Sequence, residues 1–133
     1  MDDVPAIPGA GALAVWFGHW PSFHDAEIHE LHLNREGVSR LRVHTWRMTE
    51  RVDDKGYYVL EKHVIVTFSM KHIVTLMLEG FSHQNVISEL VIKHVSDGLV
   101  MTLEPCYGLS GVIEAKEISV EFAPIASPPG SFP

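Results

Sequence analysis

His24, Asp25, Glu27, His29 and His32 supply five possible metal ligands or proton carriers within nine residues, beside a further carboxylate at Glu30. On an extended strand Asp25, Glu27 and His29 share a face, because alternate residues do. Imidazole with carboxylate is a donor set that suits zinc and similar ions. Against this, catalytic zinc sites usually draw their ligands from separated segments, and no His-Glu-x-x-His helical motif occurs in the chain. Nine histidines spread over 133 residues also make one local cluster unsurprising without a metal. Asp25 with Glu27, or with His24, would serve as a general acid–base pair if a cleft brought the groups together. From these residues we assign no metal and no cofactor.

Other chemistries have weaker support. Gly108-Leu109-Ser110-Gly111 resembles a serine elbow, but Gly-x-Ser-x-Gly requires glycine at 112, where Val112 stands. Cys106 is the only cysteine, and a lone cysteine is more commonly a small core residue than a nucleophile. A phosphate-binding glycine loop followed by a helix and a basic residue is missing.

These side chains must be positioned by one small domain. A chain of 133 residues with 46% hydrophobic and 20% charged residues can build a single core without disulfides or metals. The formal charge of −7 is ill suited to nucleic acid and favourable for a cationic protein partner. One cysteine permits no intramolecular disulfide, which fits a reducing compartment. The acidic start Met1-Asp2-Asp3 is unlike a secretory signal, and no run reaches the roughly eighteen apolar residues of a membrane span. The expectation is a soluble, cytoplasmic protein that binds neither membrane nor nucleic acid.

Proline and glycine at positions 5, 8, 9 and 11 mark residues 1–11 as a flexible leader. Residues 12–18 can form a short helix ended by Gly18. From Ile28 the apolar pattern has period two, with a one-residue slip near Glu30 that predicts a β-bulge. Strand-like segments recur at about 40–46, 57–68, 72–78, 86–95, 99–104 and 117–122. They are separated by turns such as Asp53-Asp54-Lys55-Gly56 and Ser96-Asp97-Gly98. Residues 86–95 fit helix or strand, and their β-branched content favours strand. The stretch 72–78, apolar on both sides, is expected in the middle of the sheet, covered twice. Residues 12–124 therefore form a single β-rich domain with one short N-terminal helix. Its single curled, mostly antiparallel sheet has about seven strands, and residues 125–133 make a disordered tail.

Within this plan Trp20-Pro21-Ser22-Phe23-His24-Asp25 has two readings. As a clasp, Trp20 and Phe23 seat the leader on the sheet, Pro21 fixes the bend, and Asp25 braces a turn. As a site, Trp20 and the carboxylates stay at the surface and anchor a basic partner.

Trp20 to Ile28, followed by Leu31, Leu33 and Arg35, resembles the opening signature of family fifty of the bacterial polymorphic-toxin immunity proteins. Val64 to Phe68, Phe81 to Ile87, and Gly108 to Gly111 are similar to later parts of the pattern, so the likeness spans residues 16–123. The resemblance implies a small cytoplasmic protein that binds and neutralises a cognate toxin domain by occlusion, without catalysis. Trp20, Asp25, Glu27, Asp53 and Asp54 are the candidate partner-binding residues. The alternative is a small-ligand or metal-dependent enzyme in the mouth of the curled sheet, worked by His24, Asp25 and His29.

Overall fold

The computed structural model describes residues 4–126. These contain one helix, α1 (Ala10–Phe17), then strands β1 (Glu27–His32), β2 (Val38–Val52), β3 (Tyr58–Glu79), β4 (Val86–Val95), β5 (Gly98–Tyr107) and β6 (Ser110–Pro124). All pairings are antiparallel, and the order β1-β2-β3-β6-β5-β4 closes into a barrel where β1 meets β4 at Glu27 and Val86. The sheet thus curls until its edges meet.

Six strands replace the expected seven because the segments at 57–68 and 72–78 are one strand, β3. Ser69-Met70-Lys71 offers neither glycine nor proline to reverse the chain. Instead His72 takes a left-handed φ of 57°, and the register with β6 shifts between Ile73 and Thr75. The interruption is a bend and bulge within a strand. The double cover expected for this stretch is absent as well. β2 begins opposite Lys71, so the β2-side edge of residues 72–79 has no strand partner among the described residues. Val74 and Met77 are accordingly 56% and 69% exposed.

The bulge expected near Glu30 is present between Ile28 and Glu30, and residues 86–95 form the strand β4. β5 runs through Tyr107 and β6 starts at Ser110, so Gly108 and Leu109 alone connect them, and Cys106 is exposed at the strand end.

The barrel interior is filled by alternate residues, as period-two patterning requires. Leu41 and Val43 enter from β2, Val64, Val66, Phe68 and Met70 from β3, and Met101 and Ile113 from β5 and β6; all are buried. An eight-residue helix is not stable alone. Helix α1 survives because Ala10, Leu13 and Phe17, at helical spacing, join this core. Gly18 stops the helix in a left-handed conformation (φ 104°), its N–H bonded to Ala14 O. Within the leader, Ile7 is buried and Pro8 O accepts a hydrogen bond from Val120 N of β6. The expected tail lies, from residue 127 onward, outside the described residues.

The clasp is realised in aromatic rings. Trp20, Phe23 and Phe68 pack with centroid separations of 5.6, 5.7 and 6.5 Å. Phe23 is buried, which contributes on the order of 2–3 kcal/mol. That gain offsets a left-handed backbone at Phe23 (φ 61°), a conformation unfavourable to a bulky residue.

Candidate functional site

Three surface regions carry the residues singled out by the sequence. The first follows the clasp. Left-handed backbone at Phe23 and at Asp25 (φ 68°) makes a tight loop, and Asp25 N–H then donates to Ile87 O at 2.8 Å. The His24 ring donates through Nδ1 to Ser88 O at 3.1 Å, while Nε2 lies 3.6 Å from Asp25 Oδ1. Cys106 Sγ–H points towards Asp25 Oδ1 at 3.9 Å and Ile87 O at 3.7 Å. His24, Asp25 and Cys106 are all exposed. His24 and Asp25 open into a cleft of about 420 Å³ whose opposite wall is Trp46, Arg47 and Met48 of β2.

Trp20 belongs to a different surface. It is partly buried, and what remains open faces Leu90 to Lys93 of β4 beside Val4 and Pro5. Of the opening stretch, Asp25 faces β2 and Trp20 faces β4.

The second region is the outer face of β1 to β3. Glu27 of β1 stands in register opposite His44 of β2. The β1 bulge leaves His29 without a register partner, and its ring meets that of His44 edge-on at 5.9 Å. His44 in turn stacks on His63 of β3 at 5.3 Å, with His44 Nε2 and His63 Nδ1 in a 3.1 Å hydrogen bond. Trp46 packs on both rings. His44 is 3% exposed; burial, then the adjoining His63 and His29, lower its pKa to about 4. Burial lowers His63 too. His24, Asp25 and His29 therefore do not form a single constellation, because His29 is grouped with Glu27 and His44 instead. The His44–His63 pair escaped the sequence reading. Folding the chain about its turn at 53–56 would have set 44–46 against 63–65.

The third region is a two-stranded ribbon. β1 pairs with β2 only as far as His44, and β6 with β3 only as far as Val64, so residues 47–61 extend beyond the barrel as a hairpin. At its tip Gly56 (φ 85°) turns the chain, and Asp53 Oδ1 accepts from Lys55 N and Tyr57 N at 2.9 and 3.0 Å. Asp53 is thus engaged in the turn, while both it and Asp54 remain exposed. The ribbon carries exposed Met48, Val52, Tyr57, Tyr58 and Leu60. The ion pair Arg51–Glu61 on it, at 3.3 Å, is solvent-facing and adds little. No helix among the described residues is long and apolar enough to cross a membrane.

Below these surfaces lies a polar knot. Asn85, buried, accepts at Oδ1 from Ser82 N and Leu109 N, and donates from Nδ2 to Ser82 O. Its own carbonyl accepts from Ile28 N. The three stretches 20–28, 81–87 and 108–111 thereby meet at one end of the barrel seam.

Residues 9–124 match the sequence profile of the Immunity protein 50 family. The chain belongs to that family of immunity proteins. No curated protein and no solved structure matches the chain.

Proposed function

We propose that this chain neutralises a cognate toxin domain in the cytoplasm by one-to-one occlusion, without catalysis of its own, and that the hairpin at 47–61 is the central contact. Family membership supports the existence of a toxin partner. The observation that carries the choice of surface is the ribbon itself. Five large apolar or aromatic side chains are exposed on a segment that the barrel does not need for closure. Exposed apolar clusters of this kind mark interaction sites, and tyrosines are favoured anchors at interfaces.

Asp53 and Asp54 at the tip, and Asp25 in the cleft at the ribbon's base, extend the surface with negative charge. Glu27 borders it beside Trp46's histidine neighbours, and Trp20 contributes from the β4 side as a lesser contact. The formal charge of −7 favours a cationic toxin face through faster association. Stabilising contact comes from the aromatic residues and steering from the carboxylates.

The test is coexpression with a toxin domain sought among the neighbouring genes, read as rescue of growth and as a one-to-one complex in calorimetry. Tyr57→Ala with Tyr58→Ala should weaken binding at least about tenfold, since interface anchors are worth ~1–2 kcal/mol or more each. Asp53→Lys with Asp54→Lys should slow association and flatten its salt dependence. Full rescue and unchanged affinity in the tyrosine variant would move the interface off the ribbon.

A further inference from the structure

We infer that Glu27, His29 and His44 form a binding site for a divalent transition-metal ion of the zinc type, mounted on the outer face of the barrel beside its seam. This goes beyond toxin neutralisation and departs from the expectation, drawn from sequence, of no metal.

The geometry is the ground. One ligand atom from each residue lies within 4.8 Å of the other two. In a tetrahedral zinc site with bonds of about 2.1 Å the donors stand ~3.4 Å apart, so closing on an ion requires only small side-chain rotations. The backbone produces this convergence in two ways. Register places Glu27 directly across from His44, and the bulge between Ile28 and Glu30 removes His29 from the ladder and aims its ring at His44. Bulges recur where a side chain is re-aimed for a purpose.

The donor set is chemically apt. Two imidazoles and a carboxylate suit zinc, cobalt or nickel, and they are a poor set for magnesium or calcium, which prefer all-oxygen shells. Burial is graded along the site: His44 is buried, Glu27 half-buried and His29 exposed, giving an ion a solvent approach from the His29 side. His63 completes the arrangement. Its Nδ1 holds His44 Nε2 at 3.1 Å, which leaves Nδ1 of His44 as the coordinating nitrogen and fixes the ring's orientation. An outer partner of this kind typically accounts for ten- to a hundredfold in metal affinity. Three protein ligands leave a coordination position for water or for a side chain of a bound protein. The bound ion would tie β1 to β2 next to the Glu27–Val86 closure. The other group, His24 with Asp25 and Cys106, is wholly exposed, its His24 ring held by Ser88 O instead of by a second histidine, and it serves as the control.

The experiment uses full-length untagged protein stripped with chelator, titrated with zinc chloride by calorimetry and followed by thermal melting. The expected result is about one equivalent of tightly bound zinc with a raised Tm, and no response to magnesium. His29→Ala should lower affinity about a hundredfold or more, and Glu27→Gln should also weaken it. His63→Ala should fall between these and wild type, while His24→Ala and Cys106→Ser leave binding unchanged. His29 and Glu27 lie outside the core, and far-UV circular dichroism in chelator confirms each variant's fold. Absence of stoichiometric zinc binding overturns the site. So does binding that survives His29→Ala and is lost in Cys106→Ser.

Discussion

Asn85 and Leu109, 24 residues apart in sequence, are joined by a hydrogen bond of 2.9 Å from the Leu109 N–H to the Asn85 side-chain oxygen. The same oxygen accepts from Ser82 N, and the amide nitrogen returns to Ser82 O. One buried side chain thus satisfies the backbone of two connections that could not otherwise pair across the barrel end. Asn85→Ala strips three bonds from a site with 3% exposure. We expect a loss of about 3 kcal/mol, because the orphaned backbone groups keep their desolvation cost. Urea denaturation measures it; a loss below about 1 kcal/mol would mean that water replaces the side chain.

Gly9 is a second point of no tolerance. Its φ of 89° is left-handed, and a Cβ there would overlap the carbonyl oxygen of Val120. The flanking Pro8 O to Val120 N bond seats the helix against β6. Gly9→Ala is expected to cost ~2 kcal/mol or more through strain and displacement of this seat. Gly11→Ala, with open space around the position, is the matched control and should leave Tm at or slightly above wild type.

Acid should weaken the fold through His44. In the barrel this ring stays neutral down to about pH 4, whereas the unfolded chain protonates it near 6.5. Below 6.5 the unfolded state binds a proton that the native state refuses. The contribution is therefore complete above about pH 6.5 and is lost as pH falls towards 4. The gap between the two values sets a ceiling of about 3 kcal/mol. His63, also shifted down, adds in the same direction. Denaturation between pH 7.5 and 4.5 in chelator should show a clearly shallower loss in His44→Phe than in wild type. Equal slopes would assign the acid sensitivity to other groups.

Asp25 allows clasp and contact to be separated. A left-handed φ of 68° suits glycine at least as well as aspartate, and the residue's tertiary backbone bond to Ile87 uses the N–H alone. Asp25→Gly should therefore change stability by less than about 0.5 kcal/mol while removing the carboxylate from the cleft. If Asp25 takes part in holding a toxin, the variant binds more weakly with an unchanged Tm. Equal binding would leave Asp25 to the loop alone.

Where sequence patterns report local geometry, they anticipated the structure. The period-two runs, the slipped phase at Glu30, the turn at Asp53 to Gly56 and the stop at Gly18 each depend on neighbours within a few residues. What stayed hidden depends on registers set far away. Val74 and Met77 look like core residues until β2 is seen to start opposite Lys71. His44 and His63 look unrelated until the chain is folded about its turn at 53–56 and Thr45 comes to stand opposite Val64. Barrel closure itself rests on β1 meeting β4, a contact across almost sixty residues that no local pattern encodes.

That closure is narrow. Only Glu27 and Val86 are in register across it, helped by backbone bonds from Asp25, Ile28 and Ile87, whereas β6 pairs with β3 from Ser110 to Pro124, its whole length. Cooperative opening should thus begin at the seam, with β1 peeling away while β3 and β6 stay zipped. In native-state hydrogen exchange the amides of Asp25, Ile28 and Ile87 would trade their protons through a low-energy opening, and that of Val66, in the middle of β3, only through global unfolding. The barrel has a hinge line built into its sequence, and the histidine face lies along it.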